Sequence, residues 1–224
     1  NPIRVTGAPD IKKSPMYGMN VLCNDEDEWG SETFNNVRVP YNDKLVEALR
    51  NGMTMEVMAR PCFENGTISN RWCNIFGCYQ GGGFGIIIYN GVWDFECVID
   101  QTYKDATFGP VVDGEWIHLV GVWDKEAGVC QFYANGELVS TVDGAGGELG
   151  FPTSDGHDDE CFVGVGIDFD PGSSTFCREA FQGDIAIARI YNDPLPGAQG
   201  TALYEQAEAK TTGEPEHVDR VFPT

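Results

Sequence analysis

Acidic clusters are the groups in this sequence best suited to bind a metal ion. Residues 25–28 read DEDE, residues 154–160 read SDGHDDE, and residues 167–172 read IDFDPG. Calcium prefers carboxylate and carbonyl oxygens, and turn-rich acidic stretches supply both. Asp168 and Asp170 are two residues apart beside a Pro-Gly turn, so we predict them as calcium ligands. The alternative is that these carboxylates are solvated and serve only to keep the protein soluble.

Aromatic side chains beside loops are the second group with binding chemistry. Sugar sites combine exposed aromatic faces with a few polar groups. Trp29 and Trp72 lie beside loop-like stretches, and Tyr79 precedes a glycine-rich turn. We therefore predict Trp29, Trp72 and Tyr79 as carbohydrate-binding residues. Trp93 and Trp123 lie within strand patterns and are predicted to be in the core.

His118 is the residue that a catalytic hypothesis would use first. It lies in the strand pattern WIHLVGVWD, where Trp116, His118, Val120 and Val122 share one face. No serine or cysteine stands beside it in an activating context. We interpret His118 as a histidine that is hydrogen-bonded inside the folded domain. We predict no catalytic residue.

Eight cysteines in 224 residues favour an oxidising compartment. We predict at least two disulfides, with Cys73–Cys78 and Cys161–Cys177 as the first choices, because each pair is close in sequence and flanks a turn or loop. Eight cysteines allow 105 connectivities, so other pairings stay open. Cys97 and Cys130 alternate in step with core positions and are also explained as small apolar residues.

The formal net charge of −21 limits the classes of partner. Such a surface repels phosphate backbones and anionic lipid head groups, which excludes nucleic acid and membrane surfaces as default partners. No apolar run approaches the ~18 residues that a membrane-spanning helix needs. We expect a secreted, periplasmic or cell-surface protein, and the start of the chain is interpreted as a trimmed mature chain or an excised domain.

Short alternating strand patterns separated by turn residues predict an all-β fold. Asn90-Gly91 and Asn135-Gly136 are hairpin signals, and residues 42–52 and 197–210 predict two short helices. The spacing of the strands is typical of a sandwich or jelly roll. We predict an N-terminal lead-in segment at 1–17, one domain at 18–208 and a C-terminal tail or linker at 209–224.

Four motifs in order resemble the laminin-G-like, concanavalin A-like jelly-roll family. They are MTMEVMARP from residue 53, GEWIHLVGVWD followed by FYANGELV from residue 114, CFVGVG from residue 161, and FQGDIAIARIYNDPL from residue 181. The resemblance runs from about residue 19 to residue 204. It implies a two-sheet antiparallel jelly-roll sandwich. The chain also looks similar to domains of secreted or surface proteins of Bacteroidetes.

The resemblance implies more about fold than about function, because the family includes sugar-binding modules, adhesion domains and enzymes. Related glucanases use a Glu-x-Asp-x-x-Glu strand, and no glutamate here has an aspartate two residues later. In those glucanases an acidic residue on the closing strand helps to hold calcium, which points to Asp184. We therefore predict a non-catalytic carbohydrate-binding module with one possible structural calcium ion. The alternatives are a structural or adhesion domain that contacts protein, and a glycoside hydrolase-like enzyme.

Overall fold

The computed structural model describes residues 4–6, 10–13, 20–24, 36–40, 43–63, 72–78, 82–151, 162–165, 168–169, 177–178, 181–195 and 197–212. The strands in this part of the chain are β1 (Arg4–Thr6), β2 (Asp10–Lys13), β3 (Asn20–Asn24), β4 (Asn36–Pro40), β5 (Gly52–Pro61), β6 (Cys73–Cys78), β7 (Phe84–Tyr89), β8 (Val92–Ile99), β9 (Thr102–Phe108), β10 (Ile117–Asp124), β11 (Val129–Ala134), β12 (Glu137–Asp143), β13 (Phe162–Val165), β14 (Asp168–Phe169), β15 (Cys177–Arg178) and β16 (Gly183–Tyr191). The helices are α1 (Asp43–Leu49) and α2 (Gly197–Thr212).

Two antiparallel sheets make up the sandwich. The first sheet has the strand order β1-β4-β13-β6-β7-β8-β9, and the second has the order β12-β11-β10-β5-β16-β3-β2. Strands β14 and β15 pair separately. This architecture confirms the predicted all-β jelly-roll sandwich, and the predicted helices are confirmed as α1 and α2.

The core lies between the two sheets and is built by alternation along each strand. Phe95 of β8 and Phe132 of β11 face each other across it, with ring centroids 6.2 Å apart. A Cβ on Gly121 of β10 would overlap the Phe95 ring, so glycine is required for the aromatic ring to pack there. Trp93 and Trp123 are buried, which confirms the prediction that both lie in the core. Leu119, Phe132 and Val163 are buried with them, and Ile117 is half-buried.

Two Asn-Gly turns set the register of the hairpins that the sequence predicts. Asn90 and Gly91 have φ angles of 50° and 77°, and they join β7 to β8. Asn135 and Gly136 have φ angles of 49° and 83°, and they join β11 to β12. A pair of left-handed residues matches the twist of the flanking strands, which is why Asn-Gly is favoured in two-residue hairpin loops.

Helix α2 covers the outward face of the second sheet. Leu203 packs against Val120, Val122 and Tyr133, while Ala207 belongs to a second apolar cluster that includes Met58. The face of β10 that carries Val120 and Val122 is therefore buried by a helix, and the opposite face is buried by the first sheet. None of the described helices is long and apolar enough to cross a membrane.

The predicted domain limits differ from the described elements at both ends. The predicted lead-in segment at 1–17 contains β1, which pairs with β4 in the first sheet, and β2, which pairs with β3 in the second. The predicted tail at 209–224 contains the end of α2, which continues to Thr212. Both stretches are polar in composition, so their apolar pattern is too weak to predict the strands or the last helical turn. Strands β1 and β2 lie at the edges of the sheets, where a partly polar strand is common.

The predicted Cys73–Cys78 disulfide is wrong. The two residues are the first and last residues of β6, a single extended strand. Five residue steps along a strand span ~16 Å, whereas a disulfide needs Cα atoms within about 7 Å of each other. The predicted Cys161–Cys177 pair is not tested, because Cys161 lies outside the described residues and only the backbone of Cys177 is described.

Candidate functional site on the outer face of the first sheet

Three carboxylates meet on the outer face of the first sheet. Asp94 and Glu96 alternate along β8 with the core residues Trp93, Phe95 and Cys97, so both point away from the core. Asp105 of β9 is the register partner of Glu96. One oxygen from each of Asp94, Glu96 and Asp105 lies within 4.8 Å of the others, which makes this a compact acidic cluster.

The three carboxylates differ in exposure, and this decides their electrostatics. Asp94 and Glu96 are only 3% and 2% exposed, whereas Asp105 is exposed. Burial raises the pKa of Asp94 to about 7, and the negative charge of Asp105 adds to the effect. Within the described residues, Asp94 Oδ1 has no hydrogen-bond partner. A buried carboxylate oxygen in this state calls for a proton or a cation.

Two glycines shape the surface next to the cluster. Gly77 of β6 pairs with Gly85 of β7, and Gly85 pairs with Glu96. A Cβ on Gly77 would lie 2.5 Å from the Phe84 carbonyl oxygen, so the strands come too close for a side chain there. The floor beside Glu96 is therefore bare backbone.

An aromatic pair lies at one end of the same face. Trp72 precedes β6 and Tyr89 ends β7, and their rings stack with centroids 3.8 Å apart and planes 28° apart. Strand alternation puts both on the outer side, two residues from Asn74 and Ile87, which pair with each other. Both aromatic side chains are half-buried, so part of the stacked pair is accessible.

A further aromatic ring lies at the other end of the face. Tyr103 of β9 is the register partner of Val98 and is 54% exposed. Tyr89 pairs with Val92, and Tyr103 pairs with Val98. The six residue steps from Val92 to Val98 therefore separate the two aromatic positions by ~20 Å along β8, at about 3.3 Å per residue. The acidic cluster lies between these two aromatic positions, an arrangement with the length of an extended oligomeric ligand.

Of the predicted carbohydrate-binding residues, Trp72 is placed on this face. Its ring is half-buried and its partner is Tyr89, which the sequence analysis did not identify. Trp29 and Tyr79 lie outside the described residues, so their roles stay predictions.

Asp184 of β16, a predicted calcium ligand, is paired with an arginine. Its Oδ2 accepts a hydrogen bond of 2.8 Å from Arg60 Nε and a second one from Arg60 Nη2. The guanidinium also lies over the Trp116 ring, 5.3 Å from its centroid. Arg60 neutralises this carboxylate and would repel calcium, so the described contacts do not favour Asp184 as a metal ligand, and that role stays a prediction.

The other predicted metal ligands are not tested. Asp168 lies in β14, where only the backbone is described, and Asp170 lies outside the described residues. Both stay predictions. The described carboxylates that come together are instead Asp94, Glu96 and Asp105.

His118 contacts a second buried carboxylate, on the opposite side of the molecule. Its Nε2 lies 3.1 Å from Glu56 Oε1, and Glu56 Oε2 accepts hydrogen bonds from Arg189 and Tyr191. The hydrogen-bonded interpretation of His118 is confirmed, although the contact lies beneath α2 and not between the sheets. Burial opposes ionisation of Glu56, but the hydrogen bonds from His118 and Tyr191 and the charge of Arg189 prevail and hold its pKa below the ordinary value.

Sequence reasoning missed the acidic cluster for two reasons. The glucanase motif has aspartate two residues after glutamate, whereas β8 carries the reverse order, Asp94-Phe95-Glu96. Asp105 lies in β9, a strand whose mixed composition was not recognised. Two carboxylates at i and i+2 between core aromatics in a strand were the available signal, because such residues must share the outer face.

Comparison with protein families and solved structures identifies the family and shows which known folds are similar. The family model of the concanavalin A-like lectin/glucanases superfamily matches residues 35–199. No curated protein sequence matches the chain. The binding domain of botulinum neurotoxin DC is similar in structure, both in its complex with rat synaptotagmin II and in its complex with SialylT. In each case the TM-score is 0.64 at 14% sequence identity.

These likenesses differ in how much of each chain they cover. The match covers 92% of this chain but only 46% of the neurotoxin chain, so this chain spans about half the length of that neighbour. The native heptameric SAP-like pentraxin from Limulus polyphemus has a TM-score of 0.51 at 18% identity, covering 69% of this chain and 70% of the pentraxin. Identities this low establish a shared fold and nothing more specific.

Proposed function

The chain belongs to the concanavalin A-like lectin/glucanases superfamily, and from that premise we propose that it is a non-catalytic carbohydrate-binding module of a secreted or surface protein. The observation that carries the proposal is the outer face of the first sheet. There the Trp72–Tyr89 pair lies on the same side as the acidic cluster, with Tyr103 at the far end.

The chemistry of this face suits a sugar chain. Aromatic faces bind the apolar side of a pyranose ring, and carboxylate and amide groups accept hydrogen bonds from its hydroxyls. Asn74 and Asp94 are both register partners of Ile87, so their polar groups flank the same point of β7. Gly77 and Gly85 place no side chain beside these polar groups.

Two structural neighbours support a binding role of this general kind. The binding domain of botulinum neurotoxin DC forms one complex with SialylT and another complex with rat synaptotagmin II, a protein. A glycan is the partner that the aromatic and acidic groups favour here. A protein partner, as in a structural or adhesion domain, is the alternative that the binding experiment separates.

We infer that calcium is the cofactor of this face. Asp94, Glu96 and Asp105 would hold it, since carboxylate oxygens are its preferred ligands. The fit rests on Asp94 Oδ1, a buried oxygen without a hydrogen-bond partner among the described residues. Bound calcium supplies positive charge and open coordination positions that sugar hydroxyls can fill.

One observation favours hydrolysis as a second candidate function. A retaining glycosidase places its two carboxyl groups ~5–5.5 Å apart, with the acid held protonated by a raised pKa. Asp94 has a pKa raised to about 7, and Glu96 shares its face two residues away. The Glu-x-Asp-x-x-Glu strand of related glucanases is still absent, so binding without turnover is the proposal.

A glycan-array screen followed by titration tests the proposal. We expect wild-type protein to bind one glycan class with a Kd of about 10⁻³–10⁻⁵ M, as shallow sites do. Trp72→Ala should abolish binding. Trp116→Ala is the matched control, because Trp116 packs on the opposite side of the molecule with Met58 and Ile187, and it should leave binding unchanged.

Three outcomes would contradict the proposal. Binding that survives Trp72→Ala would move the site away from this face. Silence across the array, together with capture of a protein ligand, would favour the adhesion role. Release of new reducing ends from a bound glycan, lost in Asp94→Asn, would show turnover and favour the hydrolase.

A further inference from the structure

Strands β8 and β11 belong to different sheets but approach each other closely across the core. Their Cα atoms come within 8 Å of one another, although facing sheets are usually ~10 Å apart. The close approach fits the position of both strands, since each is next to the edge strand of its sheet and the edge strands β9 and β12 also meet. Phe95 and Phe132 mark the point where β8 and β11 face each other.

Two cysteines, Cys97 and Cys130, lie beside this aromatic pair. Cys97 lies two residues after Phe95 on β8, and Cys130 lies two residues before Phe132 on β11. Because side chains repeat every second residue, both cysteines point into the core beside the aromatic pair. Both are 0% exposed, and the two thiols share a hydrogen bond.

We propose that Cys97 and Cys130 form a disulfide that ties the two sheets together. A bridge of this kind joins facing sheets in immunoglobulin sandwiches. The reaction breaks two S–H bonds and forms one S–S bond. The oxidant is a small-molecule or protein disulfide, whose own S–S bond is reduced to two thiols, so two electrons and two hydrogens are transferred.

The positions of Cys78 and Cys62 favour this pairing. Cys78 shares the first sheet with Cys97, but Phe84 stands between them in the register of β6, β7 and β8. Cys62 is exposed, beyond the end of β5. Burial raises the pKa of the Cys97 thiol, and its hydrogen bond with Cys130 adds to this. The folded thiol is therefore a poor nucleophile, so the bond is expected to form during folding, before the sheets close.

Peptide mapping tests the proposal directly. The chain is unfolded, reduced, refolded in a mixture of reduced and oxidised glutathione, alkylated in denaturant so that buried free thiols also react, and digested without reduction. Mass spectrometry should find the peptide with Cys97 linked to the peptide with Cys130. Reduction should then lower Tm by roughly 10 °C, as expected for a bridge that closes a loop of this size in a domain of this size.

Variants separate this bond from other cysteine pairs. In the double variant Cys97→Ala, Cys130→Ala, the fall in Tm that reduction of the Cys97–Cys130 bond causes in wild type should disappear. Cys62→Ala, which removes an exposed thiol, is the control and should keep it. Alkylation of both Cys97 and Cys130 in refolded protein, or a link from either one to a different cysteine, would overturn the proposal. The peptide map does not depend on whether the double variant folds.

Discussion

Glu56 and Asp94 occupy matching places on opposite sides of the sandwich. Each lies in an interior strand of its sheet, faces away from the core and is almost fully buried. Glu56 is surrounded by His118, Arg189 and Tyr191, which hydrogen-bond to both of its oxygens. Its pKa is held below the ordinary value even though burial opposes ionisation.

Asp94 has the same burial with the opposite electrostatics. Its neighbours in the acidic cluster are Glu96 and Asp105, and its pKa is raised to about 7. A buried carboxylate whose two oxygens are both hydrogen-bonded by its own chain contributes to stability. A buried carboxylate whose pKa lies near neutral pH is typical of functional sites. The comparison therefore supports the proposal that the side under α2 is structural and that the outer face of the first sheet binds the ligand.

Removal of Glu56 should produce the largest effect of the predicted changes. Glu56→Ala leaves His118 and Tyr191 without their partner beneath α2, so we expect a loss of ~3–5 kcal/mol in the free energy of unfolding. Urea denaturation at pH 7 measures it. Glu47→Ala is the control, because the Glu47 side chain is 72% exposed in its ion pair with Arg50, and it should change stability by under about 0.5 kcal/mol.

The same variant tests the pH dependence of this side. A lowered pKa means that the Glu56 contribution is fully present above the ordinary value of 4.5 and is lost as pH falls through the folded value. Wild type should therefore lose more stability than Glu56→Ala during acidification below about pH 4.5. Parallel acid curves for the two proteins would mean that the network does not stabilise the ionised form.

The sequence predicted the two sides unequally, for a physical reason. The run from His118 to Val122 is mostly apolar on both faces, so its burial and its strand could be predicted from the local sequence. The partner Glu56 comes from β5, and Arg189 and Tyr191 come from β16, more than a hundred residues further along the chain. Which strands become neighbours is a property of the topology, and local pattern does not specify it.

The acidic cluster shows the same limit from the other direction. Asp94 and Glu96 were visible as an alternating pair, but their partner Asp105 required β9 to be recognised. Residues Thr102–Phe108 read TYKDATF, and most of this strand is exposed, so its apolar periodicity is weak. The Arg60–Asp184 contact likewise could not be anticipated, because it joins β5 to β16. Cross-strand contacts therefore decided which carboxylates were neutralised and which were not.

Neutralising Asp94 should have the second largest effect, and with the opposite sign. In the unfolded chain Asp94 ionises near its ordinary 3.8, whereas the folded chain holds the proton up to about 7. The folded chain binds more protons between these values, so stability falls as pH rises across that range. Asp94→Asn should remove the fall and add about 3 kcal/mol at pH 8 without calcium, since each pKa unit is worth about 1.4 kcal/mol and the exposed side at Asp105 reduces the total.

Thermal unfolding at pH 5 and pH 8 in a chelating buffer measures this difference. Asp184→Asn is the matched control, since its carboxylate is paired with Arg60, and it should be destabilising at both values. A pH profile of Asp94→Asn that coincides with that of wild type would contradict the assignment of a raised pKa to this residue.

Calcium binding should give the smallest change in the free energy of unfolding. It is also the most direct test of the difference between Asp94 and Glu56. Calcium needs the ionised form of Asp94, so it competes with the proton that the folded chain holds up to about pH 7. At 100 times its Kd, calcium should add about 2.7 kcal/mol to the unfolding free energy at pH 8 and clearly less at pH 5.5. Asp94→Asn should lose the calcium response, while Glu56→Ala, less stable at the start, should keep it. An equal response to calcium in the two variants would mean that the ion binds elsewhere, and no response in wild type at pH 8 would leave the acidic cluster without a cation.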